Sequence, residues 1–303
     1  MASRDDARLL RAQASLTNRD LRLLEWLYDH GLLTTDQITI ALFPSHDFGQ
    51  RRLLRLTRLS VLTRFRPQRP TGGTFPYHYV LDQLGIEVVA AQRGDPLPRR
   101  SEARRQLHRL TSRARLPHLL GVNGFFTALA AYERQHPGAS LDRWWPESAF
   151  QNRGAYSVAN ADVRVMLESR LPRPDGHGVF TDAGVSVPFF LEYDRGGESL
   201  TVLAEKIAGY EILAGYVRWR WPVLFWLPTA RREMNLHNLL TSIDSRFKAV
   251  IATAAADFVT ARALNPAEAV WWQLGRPGGR LRLTELPYEG DADLLDRPRK
   301  ELR

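Results

Sequence analysis

FFLEYDRGGESL (residues 189–200) runs three large apolar residues directly into Glu192 and Asp194. Phe189, Phe190 and Leu191 read as a buried strand, and side chains along a strand alternate between faces. Glu192 and Asp194 therefore point the same way, roughly 7 Å apart at ~3.3 Å rise per residue. With an effective dielectric of about 20, their mutual repulsion is on the order of 2 kcal/mol. Such a pair calls for a nearby cation: a metal, a Lys or Arg, or a helix N-terminus.

Outward from this strand the pattern is that of an α/β (α+β) domain. HLLGVNGFFTALAAYERQ reads as a buried helix, followed by strands in ASLDRWWPES, ANADVRVMLES and VSVPFFLEYD. The long helix GESLTVLAEKIAGYEILAGYVR comes next, then the strand WPVLFWLP, the helix RREMNLHNLLTSIDSRF, the apolar run KAVIATA and a tail with Trp271 and Trp272. This order implies a mixed sheet flanked by helices. LPRPDGHGVFTDAG (171–184) reads as a polar loop at a mobile hairpin tip. Asp162 falls within or at the start of the second of these strands. Lys206 falls at the margin of the apolar stripe Leu203, Ile207, Tyr210 and Ala214, where its stem can reach along the sheet toward the carboxylates. Asp194 or Glu198 could instead cap the helix after Gly196–Gly197, and Lys206 could simply neutralise Glu192.

The N-terminal part has a different character. Residues 1–116 contain 20 Arg and no Lys against 11 Asp and Glu, while the remainder carries 22 of each sign, so the net +9 of the 303-residue chain lies in the first part. That asymmetry marks a nucleic-acid-binding module joined to a neutral one. A helix is expected over Asn18 to His30, stopped at Gly31, then a short helix capped by Thr34 or Thr35 and closed by Pro44. A third helix runs from about Asp47 to Ser60, with Arg51, Arg55 and Arg58 on one side and Leu53 and Leu56 on the other. Between Arg51 and Arg69 lie seven arginines (Arg51, Arg52, Arg55, Arg58, Arg64, Arg66 and Arg69) and no acid. VLTRFRPQ and FPYHYVL around RPTGG form a hairpin, and Asp82 opens a closing helix. This is the order of a winged helix-turn-helix, whose third helix would enter the major groove of double-stranded DNA and whose hairpin would lie along the backbone or minor groove. The alternatives are a small helical interaction domain with a solvated Arg face, or a hairpin that pairs two protomers. The boundaries expected are a DNA-binding domain over 1–92, a basic linker or helix over 93–117 and an α/β domain over 118–303.

With no cysteine, disulfides, thiolate-zinc sites and cysteine nucleophiles are excluded. No apolar run reaches the ~18–20 residues of a membrane span, and the N-terminus lacks the apolar core of a secretory signal, so a cytoplasmic protein is expected. The eight histidines show no metal-ligand spacing.

On NADVRVML, FFLEYDRGGES and the EKIAGY helix the chain resembles the PD-(D/E)xK nuclease-like superfamily and, more narrowly, the replication-relaxation family of actinobacterial plasmids and integrative elements. The winged helix and the LPHLLGVN junction extend the resemblance over most of the chain. It implies that Asp162 and Glu192 hold Mg²⁺ and that Lys206 supplies from the next helix the Lys that usually stands two positions after the second acid. There this chain departs from the pattern with Asp194, which on the same strand face as Glu192 is a further candidate ligand. It also implies a role in plasmid or mobile-element replication or DNA transfer, in contact with other replication or transfer proteins or as a homodimer. Three outcomes stay open: a DNA-binding protein with a silent nuclease-like domain, a Mg²⁺-dependent nicking endonuclease using Asp162, Glu192, Asp194 and Lys206, and a transcription regulator whose C-terminal domain senses or dimerises.

Overall fold

The computed structural model describes residues 4–68, 72–97, 99, 101–110, 116–151, 155–156, 171–243 and 247–295. The chain divides into two compact units, Met1–Ala131 and Tyr132–Arg303, each with its own sheet.

The first unit contains α1 (Arg4–Ser15), α2 (Asn18–His30), β1 (Leu33–Thr34), α3 (Thr35–Leu42), α4 (His46–Arg58), β2 (Leu62–Phe65), β3 (His78–Leu81), α5 (Gln83–Arg93) and α6 (Glu102–Leu110). Local signals set these boundaries. Thr17 and Asp20 close a capping box on α2, and Gly31 ends it at φ 83°, a conformation that suits glycine. Thr34 and Gln37 form a second box on α3, Ser45 caps α4 and Asp82 caps α5. The strands pair antiparallel in the order β1-β3-β2, with Leu62 opposite Leu81 and Leu33 opposite Tyr79. Leu23, Leu24, Leu27, Ile38, Leu53, Leu56, Val88 and Val89 fill the core and are fully buried. The α3–α4 crossing is close: a Cβ on Gly49 would stand 2.4 Å from Thr39 Cγ2.

From sequence, α7 (Leu116–Gln135) is expected to open the second module at His118, but most of it packs in the first unit. Asn123 Nδ2 donates to Leu32 O at 2.7 Å, and Gln37 Nε2 donates to Leu120 O at 2.8 Å. These bonds tie the helix to the turns that end α2 and begin α3.

The second unit contains β4 (Ser140–Pro146), β5 (Gly176–Asp182), β6 (Val185–Tyr193), α8 (Leu200–Tyr216), β7 (Val223–Leu227), α9 (Ala230–Ile243), β8 (Ile251–Ala255), α10 (Ala256–Ala261) and β9 (Trp272–Gln273). They form one mixed sheet in the order β4-β5-β6-β7-β8-β9. β4, β5 and β6 are antiparallel, β6, β7 and β8 parallel, and β9 antiparallel at the edge. Leu203, Ile207, Tyr210 and Leu213 of α8 and Leu236 and Leu240 of α9 pack with Phe190, Val223 and Phe225 of the strands.

Much of the expected loop at 171–184 is ordered instead: residues 176–182 form an interior strand and 183–184 its turn, while 171–175 lie outside any helix or strand. Gly176 to Asp182 pair with Leu191 to Val185, and Ala183 and Gly184, both at positive φ (51° and 79°), make the two-residue turn. Glycines and a histidine hide this strand from a polarity reading. With a neighbour hydrogen-bonded on each side, however, its backbone needs little side-chain support. The strand expected over ANADVRVMLES lies outside the described residues.

Candidate functional site

β6 ends where the apolar run meets Glu192, which is 2 % exposed. The β5–β6 register pairs Gly176 with Leu191, and one further step sets Asp175 opposite Glu192. Asp175 is fixed there by its own backbone, whose N–H donates to Leu191 O at 2.9 Å, while Oδ2 accepts from Tyr193 N at 2.7 Å. From the other side, α8 brings two residues one turn apart. Tyr210 donates its hydroxyl to Glu192 Oε1 at 2.7 Å, and Lys206 Nζ stands 3.2 Å from Oε2. The ammonium is at ion-pair distance, and among the described residues no hydrogen-bond donor is aligned on the buried Oε2. Lys206 Nζ also lies 3.3 Å from Glu198 Oε2, in the turn between β6 and α8.

The electrostatics follow from this placement. Burial, then the neighbouring Asp175 carboxylate, push Glu192 up to about 7 against the opposing pull of Lys206 and Tyr210. Burial alone would lower Lys206, but Glu192, Asp175 and Glu198 more than reverse it and hold the ammonium above its ordinary value. Lys206 therefore stays charged while Glu192, closed off from water, titrates near neutrality. Tyr210 and Tyr156 are both held well above the ordinary phenol value, by burial first and then by Glu192, and remain protonated.

Asp194 has a different partner. Its Oδ2 is paired with Arg232 Nε from α9, and Oδ1 accepts from Gly196 N at 2.8 Å. Arg232 also donates to Glu198 O at 2.5 Å, so one guanidinium fixes both ends of the 194–198 turn. Glu192 and Asp194 thus have separate cations, Lys206 for Glu192 and Arg232 for Asp194. Ser199, rather than Asp194 or Glu198, caps α8.

Asp162 lies outside the described residues. Among the described residues the acid beside Glu192 is Asp175, which from sequence falls in the expected loop. Its available signal is the Pro174–Asp175 doublet shortly before the β-prone run Val179–Phe180–Thr181. Other buried titratable groups serve the core: Glu233 is paired with Arg280, and His177, lowered to about 3 by burial and then by Arg143, packs among Trp145, Phe190 and Trp221. Among the described residues, no group of three or more His, Cys, Asp or Glu is arranged as a metal site, and no helix is long and apolar enough to cross a membrane.

In the first unit, Arg51, Arg55 and Arg58 stand exposed along α4. Arg52 turns inward instead: its guanidinium pairs with the buried carboxylate of Asp20, Nε to Oδ1 at 2.9 Å. Arg64 and Arg66 both lie over the ring of Tyr77, at 4.0 and 4.9 Å from its centre, and Arg66 Nε donates to Phe75 O at 2.8 Å. Arg69 lies outside the described residues.

No curated protein and no solved structure matches the chain. The family model for replication-relaxation matches residues 24–224, from within α2 to the start of β7, and so takes in parts of both units. With two thirds of its length matched by that model, the chain belongs to the replication-relaxation family.

Proposed function

We propose that this replication-related protein binds double-stranded DNA through its first unit and cuts a phosphodiester bond with a divalent cation in its second. The first unit has the helix–strand–helix–helix–hairpin order of a winged helix. Its α4 carries three exposed arginines toward phosphates or base edges of the major groove, and its hairpin carries Arg64 and Arg66. From α7 onward the order helix, three strands, helix, strand is the one expected of a PD-(D/E)xK nuclease-like domain, which supports that reading of the second unit. Asp175 stands at the second strand, Glu192 at the third, and Lys206 comes from the following helix.

The observation that carries this reading is the convergence of Asp175, Glu192 and Lys206 on one sheet end. The donor set is hard oxygen, and the Glu192 oxygen without an aligned donor is the kind of atom a cation would satisfy. Mg²⁺ is commonly held by one or two carboxylates with water completing its shell. Asp175 and Glu192 would hold it, and the bound ion would lower the pKa of an attacking water and offset charge on the phosphate. Lys206 is placed to orient that water and to carry part of the negative charge that develops. Tyr210 keeps Glu192 in one rotamer. Tyr210 and Tyr156 are buried and held protonated, which argues against either as nucleophile; in this reading water attacks.

A silent domain is the second reading, favoured by the Glu192–Lys206 ion pair and by Asp194, which occupies the usual Lys position and is tied to Arg232. Supercoiled plasmid incubated with the protein and Mn²⁺ separates the two. Nicking by the wild type that disappears in Asp175→Asn, Glu192→Gln and Lys206→Met, with no protein attached to the DNA, supports the nuclease. Absence of nicking, or nicking that survives Asp175→Asn, overturns it.

A further inference from the structure

Lys206 has two carboxylates at nearly equal distance: Glu192 Oε2 at 3.2 Å, buried, and Glu198 Oε2 at 3.3 Å, whose side chain is 48 % exposed. The second is held in place by the backbone. Arg232, paired with Asp194, donates to Glu198 O, and Ser199 then caps α8. The turn that presents Glu198 is thus fixed from α9, and Lys206 rises from the next helix between the two acids.

We infer that Glu198 is a positioning residue, the seat to which Lys206 moves when a divalent cation takes Glu192. This rests on the metal reading above. A cation at Asp175 and Glu192 must compete with the ammonium already beside Glu192. If the ammonium had no other partner, displacing it would strand a partly buried charge, which is costly. Glu198 lowers that cost: Nζ, already 3.3 Å from Glu198 Oε2, keeps that partner when a rotation of its side chain withdraws it from Glu192. Lys206 remains close enough to reach a water beside the cation, now with its charge offset from the solvent side. Glu198 would therefore raise metal affinity only through Lys206.

The test is Mn²⁺ affinity, measured by calorimetric titration of the full chain at pH 8 and checked by the rise in melting temperature with metal. Glu198→Gln leaves Lys206 with Glu192 alone and should weaken Mn²⁺ binding by about three-fold, the scale of a half-exposed ion pair. Lys206→Met removes the competitor and should tighten binding. In that background Glu198→Gln should change the affinity by less than about two-fold, because the two substitutions act through one contact. Lys206→Gln provides the same background should Lys206→Met fail to fold. Mn²⁺ binding that Glu198→Gln leaves unchanged or tightens, or weakens equally in both backgrounds, overturns the inference and leaves the metal reading standing. If the wild type binds no Mn²⁺, the metal reading fails and the inference falls with it.

Discussion

Replacing Glu192 by Gln isolates the free energy of ionising a buried carboxylate. Gln keeps the shape and an oxygen for the Tyr210 hydroxyl, while Lys206 retains Glu198 at 3.3 Å. In the wild type, Glu192 rises from an ordinary 4.5 to about 7 on folding. The folded chain therefore holds this proton more tightly than the unfolded chain, and the stability it confers is lost as pH climbs from 4.5 to 7. At 1.36 kcal/mol per tenfold, the full difference is on the order of 3 kcal/mol, most of which falls between pH 5 and pH 8. Lys206, raised rather than lowered, stays charged throughout and adds no slope there. Urea unfolding followed by tryptophan fluorescence suits the measurement, since all tryptophans but Trp26 lie in the second unit. Between pH 5 and pH 8 the wild type should lose about 2–3 kcal/mol more than Glu192→Gln, other titrations cancelling in the comparison. Parallel stability curves would refute the reasoning and put Glu192 in contact with water.

Three further outcomes are expected. Arg52→Ala strands the Asp20 carboxylate, whose side chain is 1 % exposed, and should cost about 3 kcal/mol in urea unfolding of the first unit, the low end for a broken buried pair. Gly85→Ala drives a Cβ to 2.1 Å from Val61 O, a backbone atom that cannot swing aside, and should lower stability by about 3 kcal/mol or more, read as a fall in melting temperature. Arg51→Ala, Arg55→Ala and Arg58→Ala combined should reduce the slope of log K against log salt for duplex DNA by up to about 3, at ~0.9 for each phosphate no longer neutralised; an unchanged slope removes α4 from the DNA surface.

The first unit is legible in the sequence because its signals are local. Thr17–Asp20, Thr34–Gln37 and Asp82 mark helix starts, and Gly31 marks a stop, within a few residues of each boundary. Arg52 is not legible: it sits in the same arginine run as Arg51 and Arg55, and only the tertiary fold brings Asp20 to it from another helix. In the second unit, the strand ending at Glu192 and the helix bearing Lys206 are readable from apolar runs. β5 is hidden because an interior strand bonded on both sides tolerates Gly176 and Gly178. Without that strand, Asp175 has no place beside Glu192. The carboxylate pair calls for one cation in sequence and has two in the fold, because Arg232 arrives from α9, far along the chain from Asp194. Side chains that converge across a sheet leave no spacing to count.

The most direct test of the metal reading is anomalous diffraction from crystals of the protein soaked in Mn²⁺. The predicted result is a peak between the carboxylates of Asp175 and Glu192, with Lys206 Nζ moved toward Glu198. At saturating Mn²⁺, no peak at that position and an intact Glu192–Lys206 pair would contradict it.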